Sequence, residues 1–151
     1  MKNKIISFAI GLGLVLFVFS SCTREAVEEP SPTGPSTVYL TLTLSANPNL
    51  LLATEERPTS EIKAVVKEGN IPLAGTMVVF TIQGGPGYFS DFSRRIALTT
   101  DGGGAATLLY IGPTKDEITY DQDAFIRAQL QTRSPNYMHK EVYVHILRAE
   151  D

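Results

Sequence analysis

The chain has 151 residues, 43% of them hydrophobic and 19% charged, with thirteen Lys and Arg against sixteen Asp and Glu and a formal net charge of −3. It is too apolar for a disordered chain and too acidic for a nucleic-acid binder, which needs a basic surface to neutralise phosphates. Its single cysteine excludes a disulfide framework and a cysteine-based zinc site.

The first segment is an address. Lys2 and Lys4 precede an apolar run of about 15 residues, 5–19, and the small pair Ser20-Ser21 leads to Cys22. A basic start, a short apolar stretch and small residues before a boundary make a secretory signal peptide. The run is too short to span a bilayer, which takes about 20 residues. Val18-Phe19-Ser20-Ser21-Cys22 resembles the lipobox of bacterial lipoproteins, with Phe19 where an aliphatic residue is usual. That resemblance implies lipidation of Cys22. The physical logic agrees, because a lone exposed thiol is a liability in an oxidising compartment and several acyl chains anchor stably where one does not. Residues 1–21 are therefore expected to be removed. Thirteen basic residues then become eleven against sixteen acidic ones, and the charge falls from −3 to −5.

Residues 22–36 are rich in Pro, Ser, Thr and Glu. Such a stretch buries no core and reads as a flexible tether. Glu25, Glu28 and Glu29 loosely resemble the export signal of surface lipoproteins in the Bacteroidota; the plainer reading is a solvated linker.

From Thr37 the apolar period is two. Val38, Leu40, Leu42 and Leu44 alternate with Tyr39, Thr41 and Thr43. Asn47-Pro48-Asn49 breaks this strand, and Leu50–Thr54 continues it on a second sheet. Ile62, Ala64 and Val66 point inward from the next strand. Gly69–Gly75 is a loop. Thr76–Gln83 is the most apolar strand, with Val78, Phe80 and Ile82 facing the core. Gly84–Gly87 ends it. Tyr88–Phe92 and Arg95–Thr100 are edge-like. Asp101–Gly104 predicts a hairpin turn into Ala105–Ile111. Asp123–Gln131 and Lys140–Leu147 complete the set. Short strands at even spacing, with no helical period, predict an all-β antiparallel sandwich of about seven strands over 37–148. Phe80, Phe125, Tyr110, Leu108 and Val144 are its expected bulky fillers.

Several patterns occur in order: Ile62–Val66, Gly69–Gly75, Val78-Val79-Phe80, Gly85 and Gly87, Thr99–Ala105, and Ile126–Ala128. Together they resemble the bacterial immunoglobulin-like domain of the invasin/intimin type. The acidic stretch Lys115–Asp123 is longer than that pattern has. The resemblance implies an immunoglobulin-like sandwich without a catalytic centre, used as a spacer or on cell surfaces.

Candidate chemistry is sparse. His139 and His145 are too far apart along one strand to share a metal, about 20 Å at ~3.3 Å per residue. No nucleophile has a visible base, so no catalytic residue and no cofactor are expected. Asp116, Glu117, Asp121 and Asp123 form a weak calcium candidate, set against an ordinary solvated loop. Tyr88, Phe89 and Phe92 beside the Gly84–Gly87 loop are either a contact patch or packing under that turn. The resulting expectation is an outer-membrane lipoprotein of the cell envelope, facing the periplasm or the cell surface. It would meet the membrane through its lipid anchor and a protein or glycan partner through its domain. That domain would serve adhesion, spacing or docking. The alternative is a small carbohydrate- or ligand-binding lipoprotein using the Gly84–Phe92 aromatics.

Overall fold

The computed structural model describes residues 39–131 and 138–150. The expected signal peptide, Cys22, Glu25, Glu28, Glu29 and the tether lie outside them, as do Thr37 and Val38 of the first expected strand. Ten strands run in chain order: β1 Leu40–Asn47, β2 Leu50–Ala53, β3 Thr59–Glu68, β4 Ile71–Pro72, β5 Met77–Gly84, β6 Tyr88–Phe89, β7 Arg95–Thr99, β8 Ala105–Ile111, β9 Gln122–Leu130 and β10 His139–Arg148. A 3-10 turn at Lys115–Glu117 is the only helical piece among the described residues. The count exceeds seven because β1 and β2 are one interrupted strand and β4 and β6 are two-residue ladders.

One sheet has the order β1-β3-β8-β6, with β4 also on β3; the other has the order β2-β10-β9-β5-β7. Every pairing is antiparallel except β2 on β10, where Leu50 to Ala53 run alongside His145 to Arg148. The first strand thus begins on one sheet and ends on the other. Asn47-Pro48-Asn49 makes the jog, where a proline without an N–H cannot continue a ladder.

The core lies between the sheets. Leu42, Ile62, Ala64, Val66, Ala106, Leu108 and Tyr110 come from one, and Leu51, Val78, Phe80, Ile82, Ile126, Leu130, Val144 and Ile146 from the other. Period two drives this, because successive side chains point to opposite faces. Phe80, Tyr110, Leu108 and Val144 fill the core as expected.

Phe125 does not. Ala124, Ile126, Ala128 and Leu130 are the buried residues of β9, so Phe125 faces outward and stacks on Tyr143 of β10 at 4.8 Å between ring centroids. Its phase in the alternation overrides its size.

The hairpin at Asp101–Gly104 is also corrected. β7 pairs with β5 in one sheet, whereas β8 pairs with β3 and β6 in the other. The turn therefore carries the chain between sheets. Thr100 fixes the departure point: its buried hydroxyl donates to the Leu73 carbonyl at 2.7 Å and accepts the Thr76 N–H at 2.9 Å. Asp101 Oδ1 then accepts the N–H groups of Gly103 and Ala105 at 2.8 and 3.0 Å. Gly104 completes the turn at φ +73°, where a Cβ would strike the Val66 carbonyl.

The register gives the sandwich two distinct ends. Leu40 opposite Glu68, Val65 opposite Ala105, Met77 opposite Thr99 and His139 opposite Gln129 place the chain's entry at one end. Thr59 opposite Ile111, Tyr88 opposite Ile111 and Ala53 alongside Arg148 define the other. The ten residues of β3 separate the ends by roughly 30 Å at about 3.3 Å per residue.

Candidate functional site

The distal end, opposite the chain's entry, gathers the exposed aromatic residues of the Gly84–Phe92 region. β6 pairs Tyr88 with Ile111 and Phe89 with Tyr110. Pairing alternates the faces, so Phe89 enters the core with no exposed surface while Tyr88 is half-buried at the rim. Phe89 is therefore a packing residue, and the exposed aromatic residues of this candidate reduce to Tyr88 and Phe92.

Phe92 stands at the tip of a tight loop. Its N–H donates to the Phe89 carbonyl at 2.8 Å, and the Phe89 N–H donates to the Ser93 carbonyl at 2.9 Å. That geometry forces φ +62° on Phe92, the one non-glycine residue with positive φ among those described. Glycine or asparagine ordinarily takes such a place. A bulky L-residue there costs about 1 kcal/mol. The ring recovers little burial in return, being 78% exposed.

The ring is nevertheless braced. Tyr88 lies 5.3 Å from it between centroids, tilted by 32°. The Arg57 guanidinium sits 5.4 Å from the Tyr88 centroid. Glu117 holds Arg57 through a bidentate pair, Nη1 to Oε2 at 2.8 Å and Nη2 to Oε1. Glu117 Oε2 also accepts the Thr114 N–H at 3.1 Å. The Arg57 hydrogen bond, then the Thr114 N–H, hold the Glu117 carboxyl below its usual range, and Glu117 raises Arg57 in turn. Arg94 ties the adjoining loop, donating to the carbonyls of Gly85 at 2.9 Å and Gly87 at 3.4 Å.

The acidic candidates do not converge. Glu117 serves Arg57, Asp121 accepts the Arg148 N–H at 2.8 Å, and Asp123 lies 2.7 Å from His145 Nδ1. Among the described residues no three His, Cys, Asp or Glu side chains gather as a metal would need. His139 and His145 are both exposed on the outer face of β10, with Glu141 and Asp123 as their respective acidic neighbours. Tyr39 and Tyr120 are exposed at opposite ends of the domain.

Sequence reasoning missed Arg57 entirely and saw Glu117 only as a calcium candidate. The two are 60 residues apart, so no local pattern joins them. Nor does Ser90-Asp91-Phe92-Ser93 announce that its Phe adopts a left-handed backbone.

No protein-family model matches the chain, and no curated protein matches it. Among solved structures, the D00-D0 domain of intimin is similar with a TM-score of 0.51 at 17% identity, over 74% of this chain and 50% of that one. The fold is immunoglobulin-like, of the intimin kind. The chain spans half the length of that intimin fragment. A conjugative transposon lipoprotein from Bacteroides eggerthii is similar at 13% identity and a TM-score of 0.44, over 69% of this chain and 94% of that one. The apo-form Calx CBD1 domain follows at 16% identity and a TM-score of 0.48, over 72% and 98%. In this chain the interrupted first strand is shared between the two sheets, which gives the β2–β10 parallel pair.

Proposed function

We propose that the protein is a cell-envelope lipoprotein of the outer membrane whose immunoglobulin-like domain is a non-catalytic docking module. Cys22 carries the lipid, residues 22–36 form the tether, and the distal loops meet the partner. The observation that supports this most is the polarity of the sandwich. The chain enters beside Tyr39 and Leu40, while the exposed and braced aromatic pair Tyr88–Phe92 stands roughly 30 Å away at the other end. A module held by its N-terminus presents that end outward. Each histidine has a carboxylate neighbour, Glu141 beside His139 and Asp123 beside His145.

Two measurements on the full-length protein in cells test the reading. Cys22→Ala is expected to move the protein from the membrane fraction to the soluble one. Photo-crosslinking side chains placed at Tyr120 or Ser90, both distal, are expected to capture a partner, whereas one at Asn70, near the entry, is not. Unchanged membrane partitioning of Cys22→Ala, or capture only at Asn70, overturns it.

A further inference from the structure

We infer that the distal aromatic ridge is a carbohydrate subsite, in which Phe92 stacks against the C–H face of a neutral sugar ring and Asp91 accepts hydrogen bonds from its hydroxyls. This rests on the docking reading above and names the ligand class.

The first observation is the placing of Phe92. Its backbone adopts a conformation that glycine would take without strain, and its ring contributes almost nothing to the core. Folding alone does not call for a phenyl group there. The second is the brace behind it. Tyr88 backs Phe92, Arg57 backs Tyr88, Glu117 grips Arg57, and the Thr114 N–H orients Glu117. A ring already fixed in place loses less freedom on binding.

The third observation is what surrounds the ring. Phe92 is flanked in the loop by Ser90, Asp91, Ser93, Arg94 and Arg95. A protein-docking anchor sits among further near-neutral contacts that exclude water. An aromatic face backed by Tyr88, in a loop of polar residues, instead matches a pyranose, which has one apolar face and an edge of hydroxyls. Asp91 supplies the matching acceptor. Its Oδ1 takes the Ser93 hydroxyl at 2.7 Å and the Ser93 N–H at 3.1 Å, and among the described residues no other side chain bonds the carboxyl. The Ser93 hydroxyl, then its N–H, hold the carboxyl below the usual range, so it is ionised at neutral pH.

Charge near the ring does not call for an anion. Arg57 is neutralised by Glu117, Arg94 is turned onto the Gly85 and Gly87 carbonyls, and Arg95 lies with Thr81 and Gln83 on the outer face of the other sheet. Asp91 disfavours an anionic ligand beside Phe92.

The test is binding of the detergent-solubilised full-length protein to immobilised neutral gluco-, galacto-, manno- and xylo-oligosaccharides. Wild type is expected to bind at least one of them. Phe92→Gly is expected to weaken that binding by about tenfold or more, while its melting temperature stays level or rises because the strain is relieved. Phe92→Trp is expected to retain binding, and Asp91→Asn to weaken it several-fold. Full binding by Phe92→Gly overturns the inference. So does the absence of binding to every oligosaccharide at millimolar concentration. If a crosslinker at Ser90 then captures a protein, the docking reading survives and the sugar assignment does not. If crosslinks form only at Asn70, both fall.

Discussion

The Tyr110 hydroxyl donates to the Pro86 carbonyl at 2.7 Å. This bond joins the core of β8 to the loop that carries the distal ridge. The ring is buried, and burial pushes the phenol well above its usual pKa, so it remains a donor at any ordinary pH. Gly87 packs directly on that ring at φ +89°, where a Cβ would collide with the hydroxyl and with the Ile111 carbonyl. Tyr110→Phe is expected to cost about 1 kcal/mol, the net worth of one hydrogen bond. Gly87→Ala is expected to cost more, because one of its obstacles is backbone. Urea unfolding midpoints at constant m-value check both. An unchanged midpoint in Tyr110→Phe would show that the bond adds nothing.

Phe80 sits at the centre of β5 with Ile96 of β7 and Ala128 of β9 as its neighbours in register. It is fully buried. Phe80→Ala is expected to destabilise the domain by about 3–5 kcal/mol, combining lost transfer energy with an unfilled cavity. Phe125→Ala is expected to cost less, because that ring lies on the outer face against Tyr143. Equilibrium denaturation of the two variants gives the comparison. Equal losses would contradict the phase assigned to β9.

These two phenylalanines show what sequence makes legible. Both stand in alternating strands, and both are large. Alternation placed Phe80 correctly because Val78 and Ile82 share its phase, while the opposite phase holds Thr81 and Gln83 beside Met77 and Val79. In β9 the inward residues include two alanines, so size pointed to Phe125 while phase pointed to Ile126. Most strands were readable to within a residue or two, but Tyr88–Phe92 shortens to Tyr88–Phe89, and the expected loop Gly69–Gly75 holds the short strand Ile71–Pro72. Their pairing was less so. Asp101–Gly104 has the chemistry of a tight reversal, but turn residues specify a local bend and not which sheet receives the next strand. The site was half-visible. Tyr88 and Phe92 are four residues apart in sequence, whereas Arg57 and Glu117 reach them only through the fold.

Three exposed carboxylates make stability depend on acid pH. Asp101 is lowered first by the Ala105 N–H and then by that of Gly103, Asp91 by Ser93, and Glu117 by Arg57. A folded pKa below the unfolded one gives stability that is present above the unfolded value and lost as pH falls through the folded one. The melting temperature is therefore expected to be flat near neutrality and to fall below about pH 4, the unperturbed carboxylate range. Asp101→Asn keeps an oxygen acceptor but removes the charge. It is expected to melt lower than wild type at neutral pH and to show a shallower acid decline. Parallel pH profiles of melting temperature by circular dichroism test this. Superimposable slopes would mean the turn carboxylate carries no linked stability.

Millimolar Ca²⁺ is expected to leave the melting temperature unchanged relative to EDTA. Calcium takes six to eight oxygens, several of them carboxylate. In the 115–123 stretch several of those oxygens are committed elsewhere. Both Glu117 oxygens bond Arg57, one Asp121 oxygen holds the Arg148 N–H, and Asp123 faces His145. An ion would have to displace the guanidinium that braces Tyr88 as well as the bond that fixes the end of β10. Thermal unfolding of the full-length protein in Ca²⁺ and in EDTA makes the comparison. A rise of several degrees in Ca²⁺ would show that the loop rearranges to gather its carboxylates. Loss of the Arg57–Tyr88 contact in the same sample would then connect the ion to the distal ridge.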